Sequence, residues 1–489
     1  MEICLTNSTS LVRKIFVISI FLGVFFASCN KNPDTSLYTD IVSFDLDSIM
    51  NRGRLIAVTD FNSTNYFIYR GEPMGFHYEL LTAFTDHLGV DLELITENHL
   101  EHAFDFLNTG KADLLALSLT INSTRKNDIL FTIPIYETRQ VLVQRKPRQW
   151  RYMNTDELEK KLIRNQLDMA DLTIFVQEES SHSERLKSLS AEIGDSINVI
   201  EVPYEAEELI RNVARGEIEY AVVDENVAKV NSTYHPDIDI NTPVSFPQNI
   251  GWGLRKENSG KLQAELNRWL TAYKKTDYYA FLYAKYFKNE RSSRIIKSDY
   301  YAPSTGKISQ WDDLIKSASN DISWDWRLLA SLIYQESRFD PDVRSWAGAY
   351  GLMQVMPVTG KSLGIDITSS PSNNIKAGTI YLNQLHSIFD PRIKDEKERI
   401  KFILASYNAG PGHVLDAMRL ADKNGMDEEI WDNVAIWLQK KSEPRYYNDT
   451  VVKNGYFRGT ESVNFVIEIL DRFEHYKNFI PEQISQNYK

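Results

Sequence analysis

Between Gly53 and Val223 the chain alternates strand-like and helical hydrophobic patterns, and it runs through that alternation twice. In the first series, residues 55–58 form a short buried-strand run. Residues 78–88 then place Leu80, Leu81, Phe84 and Leu88 on one helical stripe. Residues 90–95 alternate as a strand, 103–109 read as a helix closed by Gly110, and 114–119 read as a further strand. The second series is a strand over 172–176, a helix over 183–189, a strand over 197–202, a helix over 205–215 and a strand over 219–223. Strands separated by helices do not pair as tight hairpins; they pair in parallel, with the helices covering the sheet. Two such series joined by short crossovers predict two α/β lobes with a cleft between them.

Composition narrows the class further. At roughly 100–200 residues per domain, 489 residues suggest two or three domains. The 67 acidic against 55 basic side chains give a net charge of −12, which argues against nucleic acid as a partner. Both cysteines, Cys4 and Cys29, lie near the N-terminus, so the body of the chain has no disulfide framework and no cysteine-based zinc site. The nine histidines follow neither an HxxxH nor an HExxH spacing. Neither a catalytic metal nor another cofactor is expected.

The N-terminus addresses the protein. Arg13-Lys14 precedes an apolar run over 15–26, followed by the small residues Ala27-Ser28 and then Cys29. This order makes residues 1–28 a secretory signal, too short to span a bilayer comfortably. Cys29 sits where a bacterial lipobox holds the cysteine that becomes the lipidated first residue, although Phe26 replaces the usual Leu. The alternative is a cleaved signal with an incidental cysteine. Several acyl chains on one cysteine suffice for stable anchoring. Asn30, rather than Asp, follows Cys29 and points to a lipid anchor at the periplasmic face of the outer membrane. Residues 29–52, with Pro33, read as the lipidated N-terminus and a tether.

Four blocks in order carry a resemblance. They are Gly75-Phe76-His77-Tyr78-Glu79-Leu80-Leu81, Asn108-Thr109-Gly110-Lys111-Ala112-Asp113-Leu114, Leu119-Thr120-Ile121-Asn122-Ser123-Thr124-Arg125 and Phe131-Thr132-Ile133-Pro134-Ile135-Tyr136. Together they resemble the polar-amino-acid type of periplasmic solute-binding protein over about residues 53–290. The resemblance implies that Arg125 receives a ligand carboxylate and that Asp224, in Ala221-Val222-Val223-Asp224, receives an ammonium. A guanidinium fork suits a carboxylate and an acid on the facing lobe suits an amine. Asn122 stands where Thr is usual, which leaves the ligand open between an amino acid and a muropeptide. The bland alternative makes Arg125 and Asp224 solvated charges of a retired module.

After helices over 259–289, residues 291–306 read as a linker, with Tyr301, Pro303 and Gly306. From 307 to 489 the pattern is helical nearly throughout. Six of the nine tryptophans fall there, at 311, 324, 326, 346, 431 and 437, most of them expected in the core. Trp326, Leu329, Ala330, Ile333 and Tyr334 share one face and lead into Gln335-Glu336-Ser337. Pro341 disfavours helical geometry at Asp340, so the helix ends just after Glu336. A carboxyl beside Tyr, Met and Phe is desolvated and held protonated near neutral pH, as glycosidic cleavage requires of its acid. Taken alone, a helix-end Glu satisfied by backbone or by Arg338 explains the same pattern.

Glu336-Ser337, then Gly351-Leu352-Met353-Gln354, then Ala405-Ser406-Tyr407-Asn408-Ala409-Gly410 resemble the three signature blocks of soluble-type lytic murein transglycosylases, over about residues 307–460. A fourth block matches loosely at Glu443-Pro444-Arg445-Tyr446-Tyr447-Asn448. The resemblance implies a lysozyme-like all-α domain acting on peptidoglycan, with Glu336 as its single acid and base. It also implies that Ser337 and Gln354 orient the acid and the substrate acetamido group, that Tyr407 and Asn408 line the subsite, and that Tyr447 steadies the acetamido group or the Glu. A two-carboxylate glycosidase would need a second acid, for which Asp340 and Asp342 are the nearest candidates. Two alternatives stay open, a muramidase that uses water as nucleophile and a non-catalytic wall-ligand sensor. The expected architecture is therefore a two-lobed α/β periplasmic-binding-protein module followed by an all-α lysozyme-like domain.

Overall fold

The computed structural model describes residues 45–288 and 306–480. The signal over 1–28, Cys29, most of the tether and nearly all of the linker lie outside the described residues. The described chain folds as two α/β lobes followed by a helical domain.

The first lobe is built on a six-stranded sheet. Its order is Asp91–Thr96, Arg54–Thr59, Leu114–Thr120, Gln248–Arg255 and Ile129–Phe131, with Tyr136–Thr138 also paired to Gln248–Arg255. The second lobe has five strands in the order Asn198–Val202, Thr173–Gln177, Tyr220–Asp224, Gln140–Arg145 and Ile238–Pro243. Each predicted series pairs in parallel, Arg54 opposite Asp91 in one lobe and Asn198 opposite Thr173 in the other. The sheets are nonetheless mixed. Gln248–Arg255 runs antiparallel to Leu114–Thr120, and Gln140–Arg145 antiparallel to Tyr220–Asp224. Both of these strands arrive from the other lobe, and a strand entering by crossover is not bound by the helix-mediated handedness that makes its neighbours parallel.

The two crossovers lie side by side at Gln140. Its backbone N–H donates to Ser245 Oγ at 3.0 Å, its carbonyl accepts from Val244 N at 2.8 Å, and its buried side chain donates to Gln248 Oε1 at 3.2 Å. A hinge needs such a short double connection, because only a few backbone torsions then absorb a rotation.

The last residues of the expected tether over 29–52 are helical. Leu46–Arg52 is a helix, capped by the Asp45 side chain and closed by Gly53 at φ 73°. Ile49 buries itself in the first lobe, and the Arg52 guanidinium pairs with buried Asp113. Those contacts hold the segment against the lobe.

In the helical domain Trp326–Ser337, Pro371–Phe389, Glu396–Ala409, Pro411–Lys423, Trp431–Lys440 and Thr460–Phe479 surround one apolar core. That core includes Trp431 and Trp437, whereas Trp346 is fully exposed. Its last helix reaches back to the first lobe. Tyr476 Oη donates to Gly71 O at 2.9 Å, Asn478 Nδ2 to Leu94 O at 2.6 Å, and Thr96 Oγ1 to Asn478 O at 3.1 Å. Tyr66 Oη lies 2.9 Å from His475 Nδ1, and Phe61 stacks on Phe479 at 5.0 Å. Gly71, at φ 81°, lies so close that a Cβ there would fall within 2.6–2.8 Å of Tyr334, Phe339 and Tyr476. The modules share a packed junction.

Candidate active site and interlobe cleft

Glu336 stands on the last turn of the helix Trp326–Ser337, which Asp325 caps through Arg327 N at 2.9 Å. Residues 327–334 are buried, so this helix is a core element and its end is rigidly placed. It stops where Arg338 and Phe339 take φ 51° and 64°, a left-handed geometry that non-glycine residues adopt only when their surroundings enforce it. The enforcement is visible: Phe339 packs on Tyr334 at 5.7 Å, and its carbonyl accepts from Trp311 Nε1 at 3.0 Å. The helix therefore ends at Ser337, just after Glu336 as the sequence suggests.

The Glu336 carboxyl is partly buried, and among the described residues no hydrogen bond or ion pair reaches it. Burial alone pushes it up to about 8. Tyr407 lies near enough that the Glu336 charge adds to the burial that raises its phenol well above the usual range. Tyr407 Oη donates to Met353 O at 2.8 Å, which ties the helix Glu396–Ala409 to the Gly351–Gln354 turn.

That turn is clamped from several sides. Gln354 has φ 46°, and its Nε2 donates to Val343 O at 3.0 Å and Gly351 O at 2.9 Å. Asn374 donates to Tyr350 O at 2.7 Å and accepts from Met353 N at 2.8 Å. Gly351 presses so closely on Asn374 that a Cβ would lie 2.6 Å from it. Ser337 is buried, and its hydroxyl donates to Ile333 O at 3.0 Å within its own helix. Asn408 is exposed and accepts from Ser462 Oγ at 2.5 Å. Tyr447 lies on the short helix Pro444–Tyr447, edge-on to Tyr456 at 5.7 Å. The structure thus places Tyr407 within reach of the Glu336 charge and ties the Gly351–Gln354 turn to Tyr407. It shows no bond from Ser337, Asn408 or Tyr447 to Glu336. Asp340 and Asp342 are occupied locally, Asp340 by Asp342 N at 3.0 Å and Asp342 by Tyr350 Oη at 3.1 Å.

In the other module, Arg125 and Asp224 line one cavity between the lobes. Arg125 Nη2 reaches across to Glu179 O at 3.1 Å, and its backbone N–H donates to Asn122 Oδ1 at 2.8 Å. Asp224 ends the strand Tyr220–Asp224 and lies 3.3 Å from His182 Nε2. Burial lowers the Arg125 pKa, opposed by Glu184, Asp224 and Glu179. Among the described residues no cluster of His, Cys, Asp and Glu could hold a metal ion, and no helix is long and apolar enough to cross a membrane.

Residues 313–430 match the transglycosylase SLT domain family, and residues 55–289 match family 3 of the bacterial extracellular solute-binding proteins. A membrane-bound lytic murein transglycosylase F from Desulfosudis oleivorans is 34% identical over 427 residues, covering 87% of this chain and 90% of that relative. The chain belongs to the membrane-bound lytic murein transglycosylase F family. A second relative of that name, from Saccharophagus degradans, is 28% identical over 99% of this chain and 94% of its own length. Among solved structures, an ancestral amino acid-binding protein described as a precursor of cyclohexadienyl dehydratase aligns with a TM-score of 0.42 and 24% identity, over 50% of this chain and 99% of its own.

The SLT match ends at 430, so Tyr447 and Ser462 lie outside it. As in its family, this chain carries a solute-binding module ahead of a lytic one. Sequence reasoning missed two further acids that line the cleft, Asp60 and Glu205. Their signal was local: Asp60 precedes an Asn-rich turn, Asn62 to Asn65, and Glu205 opens an acidic run with Glu207 and Glu208.

Proposed function

We propose that this chain is a peptidoglycan lytic transglycosylase that cleaves the β-1,4 bond between MurNAc and GlcNAc, with Glu336 as its single acid and base. The reading is carried by the isolation of Glu336: a carboxyl kept neutral near pH 7 by burial alone has a proton to give and no salt bridge to lose. It protonates the leaving GlcNAc oxygen as the glycosidic bond breaks. The substrate's own acetamido group stabilises the anomeric carbon, the route open to a site without a second free carboxylate. The resulting Glu336 carboxylate then takes the proton of the muramyl C6 hydroxyl, whose oxygen closes a 1,6-anhydro ring on C1. No water is consumed. The local occupation of Asp340 and Asp342 supports this route over a two-carboxylate hydrolase. Gln354 and Tyr407 form the fixed wall beside the acid, and Ser337, Asn408 and Tyr447 complete the subsite. Mass spectrometry of digested sacculi tests the reading: muropeptides lighter by one water are expected, and reducing ends would overturn it.

The interlobe cavity takes a ligand bearing a carboxylate for Arg125 and an ammonium for Asp224, either an amino acid or a muropeptide. Ligand closure there regulates cleavage through the junction at Gly71 and Tyr476. Calorimetric titration during sacculus digestion tests this, and binding without any change in digestion rate would reject the regulation. Cys29 carries the lipid anchor, at the periplasmic face of the outer membrane. Cys29→Ser is expected to leave the protein in the soluble periplasmic fraction, and a variant that still pellets with membranes would reject the anchor.

A further inference from the structure

Of the nine tryptophans in this chain, eight are buried or half-buried, and Trp346 is fully exposed, at 100%. A side chain with no buried area gains nothing from the hydrophobic effect, so folding does not explain this residue. Nor does the turn that carries it. Gly348 N donates to Ser345 O at 3.0 Å, which makes Trp346 and Ala347 the central residues of a β-turn, positions open to most residue types.

The turn is braced from within. Ser345 N donates to Ala349 O at 2.9 Å, and Ala349 N donates to Ser345 Oγ at 3.0 Å. Arg344 and Val355 each pair antiparallel with Tyr350, so Tyr350 lies between two segments that run the same way. One end of this miniature sheet is the Gly351–Gln354 turn, where Val343 O accepts from Gly351 N and from Gln354 Nε2, both at 3.0 Å. At the opposite end the chain emerges at Trp346 and, beyond Val355, at Met356, which is 38% exposed. The exposed apolar groups thus gather at one end and the clamped turn holds the other. Three residues separate Val343 from Trp346, about 10 Å of extended chain. A glycan strand seated beside Gln354 is long enough to cover both.

The chemistry of an indole suits that strand. The ring face carries negative quadrupole charge and a large apolar area, and a sugar ring offers a face of C–H groups to it. A tryptophan on a braced turn also has few torsions to lose when it is covered. We infer that Trp346 is a stacking platform for a sugar ring of the peptidoglycan strand, outside the bond that is cleaved. The inference rests on the reading that this domain cleaves peptidoglycan beside Gln354, and adds a residue that decides how tightly the strand is held. Trp346 touches no reacting atom, so it acts on binding and leaves the chemical step alone.

The test is steady-state digestion by the full chain of two substrates, intact sacculi and glycan strands stripped of their stem peptides. Trp346→Ala is expected to raise KM about tenfold on both, with kcat within about twofold of wild type, the pattern of an interaction made equally in ground and transition states. Trp346→Phe, which keeps a ring face, should return KM to within about threefold of wild type. The thermal unfolding midpoint should not move in either variant, because the side chain is exposed. An unchanged KM in Trp346→Ala overturns the platform, and so does a fall in kcat with KM unchanged. A KM effect on sacculi that vanishes on peptide-free strands overturns it as well, since the indole would then be reading peptide. Reducing ends in the digest with the KM effect intact overturn the transglycosylase reading and leave the platform standing. No digestion of either substrate by wild type overturns both.

Discussion

Glu336 in the lytic domain and Glu205 in the interlobe cleft are both pushed to about 8, yet for different reasons. Glu336 is raised by burial alone, with no charged neighbour and no hydrogen bond among the described residues. Glu205 is raised by burial and then by Asp60, Glu207 and Glu208. The same shift thus describes two chemistries. An isolated desolvated acid is a proton donor, because its only interaction with a substrate is the proton it gives. An acid raised by other acids as well is coupled to them, because each proton removed makes the next harder to remove.

Four measurements break or sharpen that contrast. Glu336→Gln should abolish muropeptide release from sacculi, by at least about a thousandfold, since the amide keeps the shape and loses the transferable proton. Residual activity within tenfold of wild type would mean that the isolated acid is not the donor. Arg125→Ala should weaken binding of the cleft ligand by about 30- to 100-fold, the cost of removing one partner of a buried charged hydrogen bond. Calorimetry reads this directly, and unchanged affinity would reject Arg125 as the carboxylate partner.

The pH profile comes next in size. As the proposed acid, Glu336 has to be protonated to start the reaction, so cleavage should fall roughly tenfold per unit once pH rises above about 8. A profile that instead collapses near pH 5 would indicate an ordinary exposed carboxylate. The smallest effect is on stability. The folded-state pKa of Glu336 is raised above its unfolded value, so its contribution is full below pH about 4.3 and is lost as pH rises to about 8. Glutamine does not titrate. Thermal unfolding of Glu336→Gln should therefore show a gain over wild type at pH 7, on the order of 2 kcal/mol, that vanishes near pH 4. A gain that persists at pH 4 would show better packing rather than relief of a buried charge.

Much of this was legible in one dimension because it is local. The two strand–helix series set both sheets, since periodicities of 2.0 and 3.6 report burial directly. Glu336 was readable because an apolar helical face runs straight into it and Pro341 marks its end. What stayed hidden depends on contacts remote in sequence. Gln354 at φ 46° gives no compositional signal, because the clamp that enforces it comes from Val343 and Asn374. The antiparallel strands Gln140–Arg145 and Gln248–Arg255 follow from crossovers that no periodicity encodes. The acids of the cleft lie on separate lobes, far apart in sequence, so only the fold makes them neighbours. Ser337 shows the opposite case: its place beside Glu336 is plain in the sequence, while its hydroxyl is spent on Ile333 O.

The helix Thr460–Phe479 has a consequence for how the protein is made. Tyr66 finds its His475 partner 409 positions later in the chain, and Gly71 waits 405 positions for Tyr476. At roughly 5–20 residues per second, ribosomal synthesis leaves that face of the first lobe uncovered for tens of seconds after its own strands have emerged. Exposed aromatic surface on a half-made protein is what chaperones hold and what aggregation exploits. A frameshift or early stop near the end of the gene therefore harms the module translated first, as well as the one it truncates.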